Sequence, residues 1–435
     1  MGLIDSLARD LHSLPSAPTS VHTARLAALA HAQAKGVPRV TDEDWKYTDL
    51  AAIVAQDFSF AAALEIDLDA LPLMTLNAHR LVFVNGRFSV THSALEQLPA
   101  GVAVRFLQEI ATHDPVRMAT LLARQGAPEA SAFSALNAAA ARDGVDCEIA
   151  ADCRVELPLL VIFLSTAGVV PALISPQLNI SAGAHSQATV IELHVGQGVA
   201  PYLTNAVTRI VTAQGARVAH YRTISETAQA THIGQVEIEV GADSEVENFS
   251  LALSGRLVRL DINCTLAAPG GKVVLNGVFM AGHHQHIDHH TRVDHRASHT
   301  TSDEVYKGIA DGNGRGIFNG KILVHPGTAK IVATQASHNL LLSSEAEIDT
   351  KPELEIYADD LRCAHGATVG QLDNEAMFYL QARGVPEIEA RALLTYGFVQ
   401  AAVAAIPISE LQTLVAQRFA HDNPLLARLL AGDLT

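Results

Sequence analysis

A thiol and an imidazole one residue apart, Cys363 and His365, lie inside the run PELEIYADDLRCAHGATVGQLDNEAMFYLQARG, from Pro352 to Gly384. The first half of the run alternates like a strand. In a strand the side-chain period is two, so Cys363 and His365 share one face while Ala364 points the other way. A thiolate beside an imidazole suits zinc, iron or an iron–sulfur cluster. Two donors do not close a coordination sphere, so the remaining ligands must come from elsewhere. Gly366 follows His365 and would let another backbone approach closely.

The elements that position this pair differ on its two sides. Downstream the pattern is helical: Asp373 is a natural N-cap for NEAMFYLQAR and Gly384 a natural stop. Pro386 fits the first turn of EIEARALLTYGF, in which Gly397 is a weak point and Ile388, Ala392, Leu393 and Tyr396 fall on one face. A further helix starts near Ser409, and Pro424 precedes a last short one. Such a block either caps the body before it or presents a docking face.

Upstream, from about Cys153 to Leu342, short alternating runs such as ATVIELHV, VAHYRTI, QVEIEV and VRLDINC replace helical periodicity. The turn pairs beginning at Gly183, Gly215, Gly241 and Gly270 are 32, 26 and 29 residues apart. A repeat of this length in an all-β segment suggests a solenoid whose rungs stack over a continuous core, although a β-sandwich also spaces its strands regularly. Before this block the chain is mostly helical (Ala24 to Ala34, and Met118 to Ala141). It also carries a hairpin, LVFVNGRFSV, with Asn85-Gly86 at the turn. In EDWKYTDL, Trp45 and Tyr47 would anchor the segment to a neighbouring surface. The expected division is a mostly helical N-terminal region with a short hairpin (1–150), a β core (151–370) and a C-terminal helical region (371–435).

Composition narrows the function. The chain has 435 residues with 30 basic and 46 acidic side chains, a formal charge of −16, which disfavours nucleic acid as a partner. Cys147, Cys153, Cys264 and Cys363 form no CxxC pair and read as reduced thiols. No apolar run approaches the ~20 residues that span a bilayer. The N-terminus lacks a basic stretch followed by an apolar core, so a cytoplasmic protein without membrane attachment is expected.

Two other motifs compete for attention. HHQHIDHH, His283 to His290, contains the H-x-H-x-D-H spelling of dinuclear metal hydrolases, so a metal-dependent hydrolase is the alternative function. That motif needs a strand-to-loop transition, whereas HTRVDH continues the alternating pattern here. Asp311 to Gly316, DGNGRG, offers three glycines, but a strand rather than a helix follows, which makes it a turn and not a phosphate cradle. No Walker A loop and no G-x-S-x-G elbow occurs, so any ATP hydrolysis belongs to another protein.

The joint motif LEIYADDLRCAHGATVGQLDNEAMFYLQARGV, preceded by FNGKILV, ATQASHNLLLS and DTKPELEI, closely resembles the SufB/SufD family of iron–sulfur cluster assembly scaffold proteins, on its SufD side. HIDHHTRVDH, SDEVYKGI and EDWKYTDL fit the same family. The resemblance is dense from about Gly282 to Phe398 and sparse before it, and Ala364 stands where many relatives carry Ser. It implies a mainly β fold, a right-handed parallel β-helix flanked by N-terminal and C-terminal α-helical regions. It implies a non-enzymatic scaffold subunit of the SUF (SufBCD) machinery, paired with SufB through the β-helix edge. The C-terminal helices would dock the ATPase SufC, and the isolated chain could form a homodimer. It further implies a transient iron–sulfur cluster at the SufB interface, with His365 as a cluster ligand and Cys363 at the same site.

Overall fold

The computed structural model describes residues 2–14, 17–62, 71, 73–95, 98–125, 127, 129–168 and 170–420. Its body is a parallel β-solenoid in which consecutive strands alternate between two sheets. One sheet runs, from the end of the chain backwards, through Glu347–Ile356, Arg315–Val324, His286–His295, Leu257–Leu266, Ala230–Val240 and Tyr202–Thr212. The other runs through Leu361–Gln371, Ile331–Leu341, Thr301–Ala310, Lys272–Ala281, Glu245–Ser254, Arg217–Ser225 and Gln187–Gln197. Neighbours within each sheet are parallel and in register, as Val236 with Ile262 and Gln335 with His365. The glycine-marked repeat is therefore the rung length of a β-solenoid, and a sandwich is excluded. Gly183 and Gly241 lie where turns of successive rungs stack. A Cβ on Gly183 would come within 2.6 Å of the Ala151 nitrogen.

Each strand turns alternate residues inward, and the inward set forms a long apolar core that includes Val190, Val218, Val246, Val273, Leu260 and Ile287. The N-terminal hairpin forms as its sequence requires. His79–Val84 pairs antiparallel with Arg87–Phe88, and both Asn85 (φ 52°) and Gly86 (φ 67°) take the positive φ of a type I′ turn. His79–Val84 also pairs with Leu159–Thr166, which extends the second sheet. Helices Thr19–Lys35, Pro115–Gln125 and Ala132–Ala140 pack on one another; the helical pattern expected as a single stretch from Met118 to Ala141 is broken between the last two.

At the other end, Asp373 caps Asn374–Ala382 by accepting from the Glu375 amide, and Gly384 (φ 88°) ends that segment. Glu387–Ala404 follows Pro386 and runs through Gly397 without a break, and Ser409–Ala420 comes next. Val399, Val403, Leu411 and Val415 bury this block against the second sheet. Ala392, Leu393 and Tyr396 join that contact, while Ile388, near the start of the same helix, is 68 % exposed. The short helix expected after Pro424 lies outside the described residues.

Candidate functional site

Two regions of the solenoid bring chemistry-bearing side chains together. The first is sealed inside the middle rungs. The Glu192 carboxylate accepts from His194 Nε2 at 2.7 Å, His220 Nε2 at 2.9 Å and Thr208 Oγ1 at 2.8 Å, with the Arg222 guanidinium 3.5 Å away. Arg222 Nη2 donates to His232 Nε2 at 3.0 Å, His232 Nδ1 donates to Glu226 at 3.1 Å, and the Tyr202 hydroxyl donates to the same carboxylate at 2.6 Å. All these side chains are buried. Burial opposes ionisation of Glu192, but the Arg222 charge and the histidine donors outweigh it and hold the carboxyl well below its ordinary range. Burial pushes His232 down to about 4, so it stays neutral.

Among the described residues, His194, Glu226 and His232 are the one group of three whose ligand atoms could hold a metal ion. The hydrogen bonds argue against it. Arg222 occupies the Nε2 lone pair of His232, which commits Nδ1–H to Glu226, and a guanidinium this close repels a second cation. The cluster is a buried ion-pair network that ties several rungs together. Its sequence signal was present: Glu192-x-His194 and His220-x-Arg222 put charge at same-face positions of otherwise apolar strands.

The histidine run does not assemble the dinuclear centre its spelling suggests. Because it is a continuous strand, the side chains divide between two faces. His286, Asp288 and His290 face out beneath the N-terminal segment. There Thr48 Oγ1 donates to Asp288 at 2.5 Å and accepts from His286 at 2.8 Å, and Arg259 donates to Asp288 at 2.6 Å. Trp45 covers Arg259, 4.3 Å from ring centre to guanidinium, and stacks on Phe133. The expected anchoring role of Trp45 is thus met. His284 sits in a turn against Asn313, while His289 faces inward between Phe279 and Tyr306. The hydrolase alternative is therefore corrected: the run clamps the N-terminal segment to the solenoid. Of the glycines of Asp311 to Gly316, Gly312 and Gly314 likewise lie in the turn between two strands, and Gly316 belongs to the second of them.

The second region is the last rung. Leu361–Gln371 and Glu347–Ile356 are the terminal strands of their sheets, so among the described residues no further rung covers them. Cys363 stacks on Ala333 and His365 on Gln335. Ala333 and Gln335 are buried, whereas Cys363 is half-buried beside Ile322, Val324 and Leu354, and His365 is exposed. Burial pushes the Cys363 thiol above its ordinary value. Ala364 is exposed, and a Cβ on Gly366 would meet nothing within 4 Å. The pair thus lies on the inward face of a rung that has no inside. Cys147 and Cys264 are sealed within the core, and Cys153 is partly exposed at its far end.

The SufBD core domain of SUF system iron–sulfur cluster assembly matches residues 163–398, and the SufBD N-terminal region matches residues 9–161. The chain belongs to the SufBD family. It is 31 % identical to the iron–sulfur cluster assembly protein SufD of Escherichia coli over 403 residues, covering 90 % of this chain and 91 % of that one. A SufBD family protein of Synechocystis is 30 % identical, with 88 % and 86 % of the two chains covered. The chloroplastic protein ABCI7 of Arabidopsis thaliana is 23 % identical over 94 % of this chain and 88 % of its own length. The chain is accordingly a SufD-like protein of iron–sulfur cluster assembly, with the β-solenoid and helical ends expected of that family. No helix among the described residues is long and apolar enough to cross a membrane.

Proposed function

We propose that this SufD-like chain is a non-catalytic scaffold subunit of a cytoplasmic SUF complex and lends Cys363 and His365 to a cluster being built at its interface with SufB. The observation that carries the reading is the uncovered last rung. An edge of unpaired strand seeks another strand, and here the edge also displays a thiol and an imidazole that lack the further ligands a cluster needs. A partner that pairs with the edge would supply them in the same step. The same edge gives the isolated chain a route to a homodimer.

The ligand types suit a cluster that must be given away. Imidazole is neutral, more readily protonated than a thiolate and more readily displaced. Dividing the ligands between two chains lets a relative movement of the chains dismantle the site. The helices from Asn374 onwards begin nine residues after His365 and would dock SufC, whose ATP hydrolysis would pull on the rung through them. On this reading 1–150 braces the solenoid, 151–370 is the scaffold and 371–435 is the handle. Phe378 (72 % exposed) and Tyr379 (56 %) support a docking role for that handle.

The test is co-expression with SufB and SufC, mass measurement of the complex and anaerobic cluster reconstitution. His365→Ala should form the complex yet assemble cluster at least about tenfold more slowly, the usual range for losing part of a metal's support. If His365→Ala and the double variant with Cys363→Ala both assemble cluster at the wild-type rate, the site lies elsewhere.

A further inference from the structure

One buried polar column of the solenoid reaches the open rung. Glu304, Gln335 and His365 occupy one register position on three successive strands of the second sheet, neighbours about 4.8 Å apart. Glu304 and Gln335 are buried, at 0 % and 3 % exposed. Gln335 Nε2 donates to the Glu304 carboxylate, which also accepts from Thr291 Oγ1 at 3.3 Å. The opposite sheet makes room for this amide: a Cβ on Gly320 would run into it. The bond to Glu304 fixes which end of the amide is which, and it leaves the Gln335 carbonyl oxygen buried without a hydrogen-bond partner.

A buried carbonyl left unpaired is costly, so a donor that can reach it gains by doing so. On the solvent side, the residue in register with Gln335 is His365. We propose that Gln335 is a positioning residue for His365: when the exposed ring turns in over its own rung, the Gln335 carbonyl accepts the imidazole Nδ1–H, which fixes the ring and its tautomer and presents the Nε2 lone pair outward to the incoming cluster. Metal-binding histidines commonly give their second N–H to such an acceptor, which raises ligand basicity and holds the ring plane. Glu304 acts one rung further in, by anchoring the Gln335 amide. This role deepens the reading of His365 as a ligand and rests on it for its purpose, but the tautomer can be measured without any cluster.

The experiment uses the full chain labelled with ¹⁵N in its histidine rings and long-range ¹H–¹⁵N correlation spectra at pH 8, with His365→Ala assigning the His365 signals. The expected wild-type pattern is the Nδ1–H tautomer. Gln335→Met, similar in size but without an acceptor, should move His365 to the Nε2–H form that free imidazole prefers. Because that variant also strips Glu304 of its amide donor and could fold poorly, the exchange Glu304→Gln with Gln335→Glu is measured beside it. The exchange keeps an amide-to-carboxylate bond between the two positions, sets an acceptor beside His365, and should retain Nδ1–H. In the complex with SufB and SufC, Gln335→Met should slow cluster assembly by about tenfold and the exchange should restore it. An Nε2–H pattern in the wild type, or one unchanged by Gln335→Met, overturns the proposal. If the tautomer changes as expected while His365→Ala leaves assembly intact, the positioning stands and the ligand reading fails.

Discussion

The middle rungs and the last rung of this solenoid carry similar residues on the same inward face, yet only one of the two can do chemistry on a visitor. Glu192, His194, His220, Arg222 and His232 are covered on both sides by further rungs, and their charges and lone pairs are largely spent on one another. Cys363 and His365 have the Ala333 and Gln335 rung on one side only. A parallel solenoid can therefore turn the same column of positions into either a brace or a binding face, depending on whether another turn of chain follows. Residue type alone does not distinguish the two. The comparison also explains why the richest cluster of metal-binding side chains is the poorer candidate: it is already satisfied, and by a cation.

The largest expected effect comes from breaking the sealed network. Arg222→Met would leave the Glu192 and Glu226 carboxylates buried without their guanidinium, and removing one member of a buried ion pair typically costs about 3–5 kcal/mol. Urea unfolding should show a midpoint far below wild type, or no folded protein at all. His365→Ala, at the exposed end of the same face, should cost no more than about 1 kcal/mol, because water reaches the Gln335 carbonyl once the ring is gone. Equal stabilities for the two variants would erase the distinction between brace and binding face.

A smaller effect separates the interior's necessary members from its tolerated ones. His289 lies between Phe279 and Tyr306 with neither ring nitrogen hydrogen-bonded, and burial pushes it down to about 4 from an ordinary 6.5. The folded state thus resists a proton that the unfolded chain accepts. The sign follows: this neutral histidine costs nothing by protonation above pH 6.5, and stability is lost as the pH falls from 6.5 to about 4. His289→Phe removes that loss and two unpaired nitrogens. Its stability relative to wild type should be greater at pH 5 than at pH 8 by about 2 kcal/mol, read from paired urea titrations. An advantage that is flat in pH would mean His289 takes up its proton without penalty. Glu304 has the opposite sign. Burial raises it to about 7, so it gains folded-state stability as the pH falls from 7 towards 4.5, which makes His289→Phe a cleaner probe than the overall acid unfolding curve.

The β-solenoid was legible because its signals are local: alternation within each strand, a glycine turn closing each rung, and an Asp373 cap where the strands stop. The Cys363–His365 pair was legible for the same reason, since a spacing of two on a strand fixes a shared face. The braces were legible only in part: Glu192-x-His194 and His220-x-Arg222 mark charge on the inward face, but contacts that close each brace lie a full rung or more away. Glu192 meets His220 and Arg222 across 28 and 30 residues of sequence, and Thr48 meets Asp288 across 240. The histidine run is resolved by the same alternation. Its spelling, taken alone, puts His284, His286, Asp288 and His289 into one centre, but the alternation of HIDHHTRVDH already assigned His289 to the opposite face from His286 and Asp288. The period of the strand therefore outweighs the spelling of the motif, as the continuing alternation of HTRVDH already indicated.

The smallest effect leaves the fold untouched and reads the same contrast through sulfur. Thiolates, not thiols, react with alkylating agents, so both access and thiol acidity matter. Cys147 is sealed and pushed up to about 12, and Cys264 is sealed and pushed well above its ordinary value, whereas Cys363 is half-buried and raised by that burial. Iodoacetamide at pH 8.5, followed by peptide mass spectrometry, should label Cys363 slowly and the two sealed thiols only after unfolding in urea. Cys153, partly exposed at the far end of the solenoid, provides a control in the same chain. When the SufB-type partner is added, Cys363 labelling should fall while Cys153 labelling holds, because only the open rung is covered. If Cys363 reacts equally fast alone and in the complex, the partner binds some other surface and the two ends of the column are no different in kind.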